Sequence, residues 1–84
     1  MNLKIYTGKQ IKKFRKSQGV NQQAFWKDLG VTQSGGSRFE TGRALPRTVN
    51  ILLNIRLQEP KISREIVTAL RQDFRWDFSV KGKK

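Results

Sequence analysis

The sequence predicts an all-α fold, one small domain of five helices, and three observations carry that expectation. Residues that cap helix N-termini recur at short intervals: Thr7 with Gln10 in the spacing of a capping box, then Asn21, Thr32 and Ser63. Glycines stand where helices would stop, at Gly19, Gly30 and Gly42. Between these marks apolar residues recur at helical spacing. At 84 residues the chain is near the size at which one core gives only modest stability, and dimerisation is a common remedy.

The first helix is predicted from about Gly8 to Gln18. Ile11, Phe14, Arg15 and Gln18 share one arc of its surface, while Lys9, Lys12, Lys13 and Lys16 share the opposite face. Arg15 is thus expected to point inward. Asn21 caps a second helix, Gln22 to Leu29, with Phe25, Trp26 and Leu29 as its apolar face and Gly30 as its stop. After the short turn Gly30-Val31, Thr32 caps a third helix from Gln33 to about Thr41, ended by Gly42. Pro46 sits where a first-turn proline would open a fourth helix, about Pro46 to Gln58, closed by Glu59-Pro60.

That fourth helix is apolar nearly all round. Val49, Leu52 and Leu53 face one way, Ile51 and Ile55 extend the stripe to a second side, and only Arg47, Asn50 and Asn54 are clearly polar. The surplus apolar face predicts a further contact, with another subunit as its expected partner. Ser63 is expected to cap a fifth helix carrying Ile66, Val67, Leu70 and Phe74. Beyond it "RWDFSVK" alternates strictly, with Trp76, Phe78 and Val80 on one side, as a strand would. Its expected partner is "LKIY" at the N-terminus, within one chain or between two, and a helix continuing through Trp76 is the competing reading. Residues 1–74 are therefore read as the domain and 75–84 as a strand-like segment with a basic tail, leaving a short terminal β-strand pair as an optional addition.

Eighteen Lys and Arg against six Asp and Glu give a formal charge of +12, which predicts a polyanionic partner, nucleic acid or an anionic membrane surface. No apolar run approaches the roughly 20 residues that span a bilayer, and the opening "MNLKIYTGK" lacks the apolar stretch of a signal peptide. Membrane is the weaker option, and a cytoplasmic location is expected. The absence of cysteine excludes disulfides, thiolate zinc sites and cysteine nucleophiles, and histidine is absent too. The six carboxylates are scattered singly, so neither a paired-carboxylate centre nor a metal cluster is expected. No enzymatic activity and no cofactor are expected.

Two short helices joined at Gly30-Val31, the second opening on Thr32-Gln33, resemble the helix-turn-helix of the phage-repressor, or xenobiotic-response-element, family of DNA-binding proteins. The run "IKKFRKSQGVNQQAFWKDLGVTQSGGSRFETGRALP" is similar to that family at several fixed spacings. They are a first helix with an inward arginine, Gly19-Val20-Asn21-Gln22, the turn "LGV", and the ending Glu40-x-Gly42-Arg43-x-x-Pro46. The resemblance covers residues 8 to 57 and implies a compact five-helix, phage-repressor-like domain. It also implies sequence-specific transcriptional repression by a homodimer on double-stranded DNA with a pseudo-palindromic operator. Residues 61 to 84 lie outside it.

In such a motif the second helix of the pair enters the major groove, and its N-terminal residues meet base edges. Gln33 is suited to adenine and Arg38 to guanine, with Ser34 and Ser37 as further base-reading candidates. The resemblance places Gln22 and Thr32 against phosphates, where helix N-terminal amides favour anions; Thr41, Arg43 and Arg47 complete the expected backbone contacts. The plainer reading of Ser34 and Ser37 is a solvated helix face, and for the lysine face of the first helix a solvated surface with a diffuse electrostatic role is preferred. Arg15 and Glu40 point inward on helices that should meet, which predicts a buried ion pair. Ile51, Ile55, Trp76 and Phe78 are the candidate dimer interface.

Two departures from the family pattern concern the adjacent glycines Gly35 and Gly36, each of which costs about 1 kcal/mol inside a helix. The family usually has alanine where this chain has Trp26, and a branched apolar residue where it has Gly36. The expected explanation is an exchange of volume, the Trp26 indole filling the space that Gly36 leaves. A close approach of the Gly35 backbone to DNA is the other reading.

The leading functional expectation is a repressor or autorepressor of a phage, prophage or other mobile operon, with anti-defence operons as one subtype. A second class is an antitoxin of the same fold, marked by a toxin-binding tail or edge strand, for which residues 75–81 are the candidate segment. A third is an RNA-binding regulator: the charge suits it, but the aromatic stacking signatures of RNA modules are missing. A co-purifying protein partner would favour the antitoxin, and preference for duplex DNA over hairpin RNA the repressor.

Overall fold

The computed structural model describes residues 3–72 and contains five α-helices: α1 (Gly8–Ser17), α2 (Gln22–Lys27), α3 (Gln33–Glu40), α4 (Arg47–Leu57) and α5 (Pro60–Gln72). The readings placed on Phe74, Trp76, Phe78, Val80 and the basic tail lie outside the described residues.

Local chemistry fixes the first three helix starts. Thr7 Oγ1 accepts from the Gln10 N–H at 3.2 Å while Gln10 Oε1 accepts from the Thr7 N–H at 2.9 Å, a reciprocal capping box. Asn21 Oδ1 accepts from the Ala24 N–H at 2.8 Å, and Thr32 Oγ1 from the Gly35 N–H at 3.1 Å. Gly19 (φ 69°) and Gly30 (φ 75°) take the left-handed conformation that ends the helix before each.

Ile11, Phe25, Trp26, Leu29, Phe39, Val49 and Leu53 form the core, with α2 and α1 packed against α3 and α5 against α4. Trp26 lies at its centre, 0% exposed, edge-on to Phe25 with ring centroids 5.3 Å apart and tilted against Phe39 at 5.6 Å. The Gly36 backbone rests on this indole: a Cβ there would overlap Trp26 Cδ1 and Cγ and lie 2.8 Å from Nε1. Large-for-small exchange thus accounts for Gly36. Gly36→Ile is expected to destabilise the domain by roughly 1–3 kcal/mol despite its better helix propensity, and adding Trp26→Ala to restore part of the loss. Thermal melting of both variants checks this, and a raised Tm for Gly36→Ile would reject it.

Several sequence expectations need correction. Asn50 and Asn54, read as the polar side of the fourth helix, are buried, Asn54 at 0% exposure, whereas Leu52 is exposed. The reason is a clasp. Asn50 Oδ1 accepts from the Tyr6 N–H at 2.9 Å and Asn54 Oδ1 from the Lys4 N–H at 2.8 Å; both side-chain amides donate to the Lys4 carbonyl, at 2.8 and 2.9 Å. Through the same contacts "LKIY" bonds to side chains of α4; no strand is present among the described residues, and the expected pairing with "RWDFSVK" lies outside them.

A further correction concerns the α4–α5 junction. Glu59-Pro60 does not close α4, which ends at Leu57; Pro60 instead opens α5, where its missing N–H needs no partner. Ser63 lies inside α5 and its hydroxyl donates to the carbonyls of Ile55 (2.6 Å) and Gln58 (3.1 Å), so it serves the end of α4 rather than the start of α5. On α1, Phe14 is 40% exposed and Gln18 is exposed, because the helix buries the narrower stripe Gly8, Ile11 and Arg15 against its neighbours. The α4 helix also begins one residue later than expected, with Pro46 as its N-cap, and α2 is shorter, ending at Lys27.

Candidate nucleic-acid interface

The inward side of α3 is anchored by one carboxylate. Glu40 is 4% exposed and accepts four hydrogen bonds: from Arg15 Nε at 2.8 Å and Nη2 at 2.9 Å, from Trp26 Nε1 at 2.7 Å and from Gln22 Nε2 at 3.1 Å. Arg15 also donates to the Val20 carbonyl at 2.9 Å, so one guanidinium joins α1, the α1–α2 turn and the end of α3. Burial alone pushes the Glu40 pKa up, but the hydrogen bonds from Arg15, Trp26 and Gln22 with the Arg15 charge outweigh it and hold the carboxyl below its ordinary value. Hydrogen bonding to Glu40 raises the Arg15 pKa in turn. Both groups are charged, and no buried side-chain polar atom among the described residues lacks a partner.

With Gly36, Phe39 and Glu40 buried, the opposite face of α3 presents Gln33, Ser34, Arg38 and Thr41 to solvent, and Ser37 stands half-buried at its flank. The Gln33 and Arg38 side chains make no hydrogen bond to any described residue. Ser34 Oγ lies 3.4 Å from the Thr32 hydroxyl, which also caps α3. Thr41 directs its hydroxyl hydrogen at the carbonyls of Ser37 (3.1 Å) and Arg38 (3.0 Å), so a phosphate contact from it requires a rotation.

Gln22, half-buried, gives one amide hydrogen to Glu40 and keeps a second. Arg43 and Arg47 are exposed on either side of the loop into α4, and α4 opens without a side-chain cap, leaving its first-turn N–H groups next to Arg47. Gln33 and Arg43 and Arg47 are exposed, Arg38 is half-buried or exposed along the same face of the chain, and none of the three arginines has a carboxylate partner among the described residues. Ile51 and Ile55 are half-buried on α4, and Leu52, Val67 and Leu70 are the exposed apolar residues of α4 and α5. The interface expected at Trp76 and Phe78 lies outside the described residues.

Sequence reasoning missed the indole N–H of Trp26 and the amide of Gln22 as partners of Glu40. A buried Trp needs an acceptor, and Glu40 was the inward carboxylate nearest in the pattern; that was the available signal. No helix among the described residues is long and apolar enough to cross a membrane, and no group of metal-ligating side chains occurs among them.

No curated protein sequence and no solved structure gives a significant match to the chain. The sequence pattern of one domain family does, over residues 12–56, more than half of the chain, from within α1 to the last turn of α4, with α2 and α3 complete. The protein belongs to the RsaL-like HTH domain family, a helix-turn-helix family of the DNA-binding kind.

Proposed function

We propose that the protein is a sequence-specific regulator of phage-repressor type that binds double-stranded DNA through α3 and acts as a repressor or autorepressor without enzymatic activity. The observation that carries this reading is the two-sided construction of α3. Its rear is locked to α1 and α2 through Glu40 and Trp26, and its front offers Gln33, Ser34 and Arg38. A helix held this rigidly presents its donors and acceptors to base edges with no backbone left to order at the moment of binding. Arg43, Arg47 and the amides at the start of α4 supply the phosphate contacts that set its register. Occupying an operator in this way excludes other proteins from the same DNA, which is sufficient for repression.

A homodimer on a pseudo-palindrome fits a domain too small to cover a long site, with half-sites about 34 Å apart or a multiple of that. The exposed apolar residues Leu52, Val67 and Leu70, beside Ile51 and Ile55, support pairing through α4 and α5.

Selection from a random duplex library at stated salt is expected to return an operator. On it, Arg38→Ala or Gln33→Ala should cost about 1–3 kcal/mol and relax preference at one base pair per half-site. Arg43→Ala or Arg47→Ala should weaken operator and scrambled duplex alike and flatten the salt dependence by about 0.9 for each lost contact. Gel-shift titrations separate the roles: equal weakening of both duplexes by Arg38→Ala would assign Arg38 to the backbone and overturn the reading face.

A further inference from the structure

We infer that the groove between the N-terminal arm, α1 and the α3–α4 turn is a second bed for the DNA sugar-phosphate backbone, in which Lys9 and Lys12 contact phosphates directly. The inference rests on the DNA-binding reading above and extends its footprint beyond α3. Lys9, Lys12, Thr41 and Arg43 line this one groove together with Ile5 and Tyr6. The groove therefore shares Thr41 and Arg43 with the proposed phosphate contacts.

Three features fit it to this occupant. First, the arm is held in place: the Lys4 and Tyr6 backbone groups bond to Asn50 and Asn54, and Ile5 between them lines the groove at 80% exposure. An apolar side chain carried there on a tethered backbone suits the apolar face of a deoxyribose. Second, none of Lys9, Lys12 and Arg43 has a carboxylate partner among the described residues. Third, the Glu40 that also borders the groove is already matched by Arg15, Trp26 and Gln22, so it does not offset those charges. The complement of three free cations around an apolar wall is a chain of alternating anions and sugar rings.

Lys13 and Lys16 provide the internal control. They stand on the same helix with the same charge, exposed, and outside the groove. With the full chain and the operator returned by duplex selection, affinity is measured by anisotropy between about 50 and 200 mM salt, the range in which phosphate contacts dominate the change. Lys9→Gln and Lys12→Gln are each expected to flatten the slope of log K against log salt by about 0.9, the value of one lost phosphate contact. Lys13→Gln and Lys16→Gln should change it by less than half as much. Unchanged circular-dichroism melts confirm that the four surface variants remain folded. If all four flatten the slope equally, the lysines act only through a diffuse field and the groove proposal falls while the DNA-binding reading stands. If the unaltered chain selects no duplex, both fall together.

Discussion

Glu40→Ala is expected to destabilise the domain by about 3–5 kcal/mol, the range for breaking a buried charge pair from one side. The loss is large because four donors converge on this carboxylate. Its removal leaves the Arg15 guanidinium, the Trp26 indole N–H and the Gln22 amide facing a space with no acceptor. A small domain has a net stability of about 5–15 kcal/mol, so the variant is expected to approach the unfolding threshold at physiological temperature. Denaturant titration of Glu40→Ala, Arg15→Ala and the double variant measures the coupling. A coupling energy below about 0.5 kcal/mol, within the additivity of independent sites, would reject the pair.

Acid supplies an independent check, with a definite sign. The folded-state pKa of Glu40 is depressed, so its contribution is complete above the unfolded-state value of about 4.3 and is lost as pH falls through the lower folded-state value. The stability difference between the unaltered protein and Glu40→Gln should therefore be constant near neutrality and shrink on acidification below about pH 4. A difference that grows in acid would mean the carboxyl is raised rather than depressed.

How much of this was legible in the sequence depends on the distance over which each letter acts. Thr7, Asn21 and Thr32 marked their helices correctly because a cap bonds to an amide three residues on, within the reach of a local pattern. Arg15, Glu40 and Gly36 were also placed on their inward faces by helical spacing alone, and the structure adds what each touches. Asn50 and Asn54 were misplaced because two amides on an apolar helix look like its wet side. Their partners are backbone groups of Lys4 and Tyr6, which no residue type announces. Their spacing of four, in phase with Val49 and Leu53, was the available clue that they share the buried face. Ser63 failed differently: a hydroxyl near a helix junction can serve either helix, and only the fold decides which carbonyls lie within reach. On the candidate interface, the outward face of α3 was legible from its period. The groove was not, because it is walled by the arm, α1 and the α3–α4 turn, which are distant in sequence.

The second large effect is expected at Gly8, which the sequence offers only as the first residue of a helix. Gly8→Ala should destabilise the domain by about 3 kcal/mol, the upper end of overpacking costs. Two terms oppose each other. Alanine improves helix propensity by up to about 1 kcal/mol and restricts the unfolded chain by about 0.4–1 kcal/mol, both in favour of the variant. Against them, a Cβ on Gly8 would overlap the carbonyl oxygen and carbon of Phe39 and lie 3.2 Å from Glu40 Cα. These are backbone atoms at the end of α3, so no rotamer change relieves the overlap, and α1 must retreat. Gly8, Ile11 and Arg15 are the buried stripe of α1, and retreat therefore draws Arg15 from Glu40 and loosens the reading helix with the same movement. Packing is expected to outweigh propensity. Gly19→Asn is the control at the other end of α1: no neighbouring atom lies within 4 Å of a Cβ there, and Asn tolerates the left-handed conformation, so its melting temperature should fall far less. Should Gly8→Ala melt higher than the unaltered protein, the α1–α3 approach is looser than the structure has it, and Gly8 is removed from the contacts that seat α3.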